Sequence, residues 1–272
     1  MNARLLGRGL FGGVIAAIYA FILAPIAVVL VASISTTPYL TFPPAGFTLR
    51  WFAEIVLLGE FTGALRYSLE VAALATVLSL VLATWIALAL GRGNLPGRTA
   101  LQSFFLAPIV LPELALAIGL LQYFSRLGLV HGVLAVVLAH SIICTPYALR
   151  TIMAAAMRLD RTLEESALSL GAHPLRMLRD ITLPMLRPGL LSAGIMAFVI
   201  SFDNIVVSLF LAAPGSITLP ALLYNQAAET GLNTTLAAVC ALLVVFMLGL
   251  MLLVERVVGL QRFFENVTAT RG

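Results

Sequence analysis

Six stretches of this chain stay apolar for long enough to cross a lipid bilayer, which takes about 20 predominantly apolar residues. They run over 10–34, 64–90, 100–124, 132–152, 189–213 and 232–254. The connections between them are short or moderate, with one exception, the polar loop 153–188. The pattern predicts an all-α, polytopic membrane protein of six transmembrane helices. The first stretch is too long for the roughly 7–15-residue apolar core of a signal peptide, so it is read as a retained span. Two further segments are more than turns. Residues 35–63 carry Pro38, Pro43, Pro44, Trp51 and Phe52 and read as an ordered stretch at the outer interface, where aromatics anchor. Residues 214–231 read as a short re-entrant or surface helix. No composition break divides the chain, which predicts a single domain over 1–272. No inverted repeat is visible, which speaks against a secondary carrier.

Composition narrows the possibilities. Hydrophobic residues make up 61% of the chain and charged residues 10%. Soluble domains run at about 45–50% and 25%, so a water-soluble globule and a disordered chain are both excluded. All 16 basic residues are arginine. A phosphate-binding P-loop needs a lysine, as does a Schiff-base enzyme, so the chain does neither chemistry. A net charge of +4 without a basic run gives no groove for nucleic acid. Cys144 and Cys240 sit apart in apolar stretches and read as small core residues. His131, His140 and His173 share no metal-ligand spacing. Neither His-Glu-x-x-His nor Gly-x-Ser-x-Gly occurs. No catalytic residue, metal or cofactor is expected.

Arginine placement orients the spans. With the N-terminus inside, 13 arginines fall on the inner side and only Arg50, Arg66 and Arg126 on the outer. That is a positive-inside distribution. An even number of spans then puts both termini in the cytoplasm.

The inner loop 153–188 is the unusual connection. Ten of the chain's charged side chains lie between Arg150 and Arg187. Thr162-Leu163-Glu164-Glu165 fits a capping box, with the Thr162 hydroxyl closing one helix end and Glu165 reaching back. Gly171 is placed to stop that helix, and Pro174 to open the next. Pro184 and Pro188 are expected to end the loop and restart the fifth span. A helix–Gly–helix elbow exposed on the cytoplasmic face suits another protein's groove.

These residues carry a resemblance. Glu165-Ser166-Ala167, then Gly171, Ile181 and Leu183-Pro184, is similar in every spacing to the "EAA" signature of permease subunits of binding-protein-dependent ABC importers. Ser166 stands where the family pattern has alanine. The resemblance implies an ATPase-coupling elbow of Glu164, Glu165, Ser166, Ala167, Gly171, Ile181, Leu183 and Pro184. It also implies a second permease subunit, homologous or an identical copy, a cytoplasmic ATPase dimer and a periplasmic substrate-binding protein. The setting would be the bacterial inner membrane.

Charge inside a membrane span is costly and marks functional candidates. Glu113 follows Pro108 and Pro112, two prolines able to break the third span. A helix starting after Pro112 would hold Glu113 at its positive end. Asp203 lies at a similar depth in the fifth span. Ser201, Asn204 and Ser208 fall on one face of a continuous helix there. Two readings stay open: a pathway for a cation, or a helix cap at Glu113 with Asp203 bonded to a neighbouring span. The segments 107–113 and Ser201-Phe202-Asp203-Asn204 resemble those of spermidine/putrescine permeases, where a second acid often stands at the position of Asn204. The resemblance implies import of a polyamine, or of an aminophosphonate, an opine or an iron complex. An ion-coupled carrier is the alternative of another class.

Overall fold

The computed structural model describes residues 2–92, 95–129, 132–213 and 215–258. They are helical: α1 (Asn2–Ala32), α2 (Arg50–Leu58), α3 (Glu60–Arg92), α4 (Arg98–Val110), α5 (Glu113–Arg126), α6 (Val133–Ala156), α7 (Arg161–Ser169), α8 (Pro174–Met177), a π-turn (Leu178–Thr182), α9 (Leu183–Asp203), α10 (Val206–Leu211), α11 (Leu219–Thr230) and α12 (Thr234–Val258). Among the described residues the extended backbone amounts to isolated bridges. His131, Pro214 and the arginines beyond 258 lie outside the described residues.

Among the described residues five helical segments are long and apolar enough to cross a membrane, Phe11–Ala32, Glu60–Gly91, Val133–Ala156, Pro174–Asp203 and Thr234–Leu252, and a bent pair makes a sixth if it is one span. The third predicted span, 100–124, is broken at the prolines, as expected. It is two helices, α4 and α5, bent by 105°. Its cause is local. Pro112 forbids the helical region to Leu111, which is extended (ψ 139°), and Pro112 itself has no N–H to give. The fifth predicted span, 189–213, is corrected. Its helix starts far upstream at Pro174 and stops at Asp203, and α10 resumes after Asn204 and Ile205. Pro184 and Pro188 therefore do not restart the span. They sit inside a continuous helical run whose register is eased by the π-turn.

Contacts divide the chain at Thr62/Gly63, Tyr224/Asn225 and Leu252/Leu253 into two compact units. In the first, the segment after α1 is ordered as expected. Thr48 N donates to Ile34 O (2.7 Å), Trp51 Nε1 to Ser35 O (2.7 Å), and Thr234 Oγ1 to Thr37 O (2.6 Å). The Arg50 guanidinium lies 4.1 Å over the Trp51 ring.

The second unit is built around α6, half of whose 24 residues are buried. Without a hydrophobic drive between helices in lipid, close packing of small residues does the work. On α9 the small residues Gly189, Ala193, Ala197 and Ser201 recur every fourth position. Gly189, Ala197 and Ser201 meet Ala155, Cys144 and His140 of α6, and Ala193 shares a buried cluster with Ala148, so the two helices run antiparallel in close contact. Ala148, Ala193 and Ala197 are fully buried. From the other side Ser79 of α3 donates to Ser141 O (3.2 Å).

Candidate functional site

The breaks in the third and fifth spans face each other. Glu113 is the first residue of α5, where free N–H groups and the helix dipole favour a negative charge. Opposite it, Asn204 is extended (φ −71°, ψ 116°) and its side chain serves both helices. Oδ1 accepts from Val207 N (3.0 Å), satisfying a first-turn N–H of α10, and Nδ2 donates to Glu113 Oε1. A cavity of about 500 Å³ opens here, lined among others by Pro108, Glu113, Tyr147, Asp203, Asn204 and Ile205. Asp203 is exposed at its edge.

The expected residues divide into two groups. Glu113, Asp203 and Asn204 come together at the cavity. Ser201 and Ser208 do not line it. They fall on one face only if the helix is continuous, and it breaks between them. Both turn inward to His140, whose Nδ1 lies 2.9 Å from Ser201 Oγ and whose Nε2 lies 3.1 Å from Ser208 Oγ. Tyr147, one residue pattern of seven beyond His140 on α6, is a lining residue the sequence reading missed. Its signal was its place as the aromatic polar group closest to the cluster His140, Ser141 and Thr145.

A second candidate surface is the elbow. The first helix is α7, and its cap is corrected. Asp160, not Thr162, closes the end, accepting from Thr162 N (2.9 Å), because α7 already includes Thr162. The bond to this N–H holds the Asp160 carboxyl below its ordinary value. Its support for α7 is therefore fully present above about pH 4, the unfolded value, and is lost as pH falls through the lower folded value. Protection of the Thr162 amide in hydrogen exchange should fall in acid and in Asp160→Ala at neutral pH, and stay unchanged in a control helix such as α6.

At its other end α7 closes as expected. Gly171 is left-handed (φ 85°), with Ala172 N bonded to Ala167 O (3.0 Å) and Gly171 N to Leu168 O (2.9 Å), the Schellman pair. Pro174 opens α8, where His173 Nδ1 accepts from Leu175 N (3.3 Å). Glu164 rather than Glu165 ties the elbow inward, accepting from the buried Thr182 Oγ1 of the π-turn (2.5 Å). Arg161 donates to Gly91 O at the end of α3 (2.7 Å). Ser166 Oγ is turned back to Thr162 O (2.6 Å). Glu165 stays exposed, Ala167, Ile181, Leu183 and Pro184 are half-buried, and Leu163, Leu168, Leu170 and Leu175 present apolar surface.

Irregular, polar backbone inside membrane-length helices is tolerated where it lines a cavity, the hallmark of a solute-conducting membrane subunit. The family model of the binding-protein-dependent transport system inner membrane component matches residues 79–261, and the chain belongs to that family. It is thus a membrane permease component of an ABC importer, not an enzyme. The putrescine transport system permease protein PotI of Escherichia coli (strain K12) is 32% identical over 83% of this chain and 82% of its own length. The putative 2-aminoethylphosphonate transport system permease protein PhnV of Salmonella typhimurium (strain LT2) is 31% identical over 92% and 95%. The fold is shared with a chain of a bacterial ABC transporter involved in the import of the acidic polysaccharide alginate: TM-score 0.77, 15% identity, 94% of this chain and 98% of that one.

Proposed function

We infer that the chain is one of two permease subunits of an ATP-driven importer and that its solute is a small polyamine such as putrescine. The observation that carries the solute class is the pairing of Glu113 and Asp203 at one cavity. Two carboxylates in a membrane-length bundle need a cation to neutralise them, and a primary ammonium does so while donating up to three hydrogen bonds. An arriving ammonium would replace Asn204 as the donor to Glu113. The likeness to PotI supports this reading.

Asn204 favours a second reading within the same class. It leaves the site one carboxylate short of the pattern seen in spermidine/putrescine permeases, and 2-aminoethylphosphonate also carries a primary ammonium while needing less negative charge around it. The whole chain would act as one permease, both termini in the cytoplasm of a bacterial inner membrane. A second permease would complete the path, and a periplasmic binding protein would deliver the solute. The elbow from Glu164 to Pro184 would dock into a cytoplasmic ATPase dimer, with Leu163, Leu168 and Leu170 as its apolar contacts.

Uptake of labelled putrescine by the complete importer in proteoliposomes tests the assignment. Glu113→Gln and Asp203→Asn should each cut uptake about tenfold, the scale of losing a hydrogen bond to a charged group. Uptake of 2-aminoethylphosphonate in place of putrescine would select the second reading. Unimpaired uptake by both variants would show that the cavity is not the path.

A further inference from the structure

His140 does not line the cavity, yet it is a large side chain sealed completely inside the fold. Its two contacts stand on opposite sides of the break in the fifth span. Ser201 belongs to the last turn of α9, Ser208 to the first turn of α10. The protons can be placed. The single hydroxyl proton of Ser208 goes to Asn204 O (3.0 Å), because a carbonyl can only accept. Toward the ring Ser208 must then accept, which puts the ring proton on Nε2. In a neutral imidazole Nδ1 is left as the acceptor, and the Ser201 hydroxyl donates to it. A directed chain results: Ser201 to His140, His140 to Ser208, Ser208 to the Asn204 carbonyl. The side chain of that same Asn204 donates to Glu113.

Two residues, Asn204 and Ile205, join the half-helices, and the intrahelical ladder is interrupted there. A bridge between them needs one donor and one acceptor a few ångströms apart on a rigid frame, which the imidazole ring supplies and an aliphatic side chain does not. We propose that His140 is a positioning residue for transport: it clamps α9 to α10 across the break and so sets the Asn204–Glu113 contact and the shape of the cavity. Its consequence for uptake rests on the cavity being the solute path. The clamp itself does not, and it has its own readout.

The full-length permease, in its membrane and carrying Cys144→Ser and Cys240→Ala, receives a single reporter, Ile205→Cys, at the cavity wall. The labelling rate by a water-soluble methanethiosulfonate reports opening of the break. His140→Leu and Ser208→Ala should each speed labelling about tenfold, as local opening becomes easier. His140→Gln, whose amide offers a donor and an acceptor, should return the rate most of the way. A second reporter, Leu170→Cys on the elbow, should react at the parent rate in every variant. If His140→Leu does not accumulate, Ser208→Ala carries the test. The proposal is overturned if both folded variants label position 205 at the parent rate. It is equally overturned if the two reporters accelerate together or if Ser208→Ala fails to fold, since His140 would then support the bundle as a whole. Faster labelling at 205 with unaltered uptake would keep the clamp and reject the cavity as the path.

Discussion

Gly171→Asp should cut uptake at least about tenfold while the membrane helices remain folded. Nothing lies within 4 Å of a side chain built at Gly171, so space is not the obstacle. Conformation is. The residue sits at φ 85°, where a side chain costs about 1–2 kcal/mol. Aspartate also places a negative charge at the negative end of the α7 dipole. The turn that satisfies the Ala167 and Leu168 carbonyls would reorganise, and α7 would leave its angle to α8. On the proposed docking, the elbow would no longer fit the ATPase. We expect recovery of the ATPase with the permease, and uptake, to fall at least about tenfold, with an unchanged melting temperature for the permease. Gly171→Ala carries the backbone cost without the charge and should fall between. Normal uptake by the aspartate variant at normal expression would remove the elbow from coupling.

Gly189→Ala fails for the opposite reason. Gly189 is helical, so alanine suits its backbone, but the new Cβ would be driven into Ala155 Cβ of α6. Overpacking of a tight helix pair costs about 1–3 kcal/mol, and Gly189→Leu should prevent accumulation of folded protein altogether. The compensating change is specific. Ala155→Gly should rescue Gly189→Ala, since the pair then has the parent volume, less the roughly 0.5–1 kcal/mol cost of moving glycine within a helix. Thermal unfolding of the single and double variants in detergent measures this. Additive loss in the double variant would mean that α6 and α9 are not packed through this pair.

How much of this was legible in the sequence depended on the range of the interaction that decides each feature. Apolar length marked the long helices, because a span is a local property. Gly171 and Pro174 marked the elbow for the same reason: a positive φ and a missing N–H act within one turn. The break at Pro112 and the place of Glu113 at a helix start were also readable from the prolines. The break at Asn204 was not. No proline or glycine stands there, and the helix stops because Asn204 finds better partners across the bundle in Glu113 and at Val207. The serines misled in consequence, since their shared face assumed a helix that continues. His140 was set aside for lack of metal spacing, although its partners lie 61 and 68 residues away and only the antiparallel packing of α6 and α9 brings them in reach. The packing itself had a signal, the small residues at 189, 193, 197 and 201. Thr162 lost the cap to Asp160 by a shift of two residues, within the range where helix ends compete.

The uninterrupted run from Pro174 to Asp203 has a mechanical meaning. Thirty helical residues make a rod roughly 45 Å long, so a tilt of only about 5° swings its far tip by roughly 4 Å. The first turns of this rod belong to the elbow, and Glu164 of α7 holds it at Thr182. At the other tip stands Asn204, bonded to Glu113. On the proposed docking, a small torque at the elbow would become a displacement about as wide as an ammonium group beside Glu113 and Asp203.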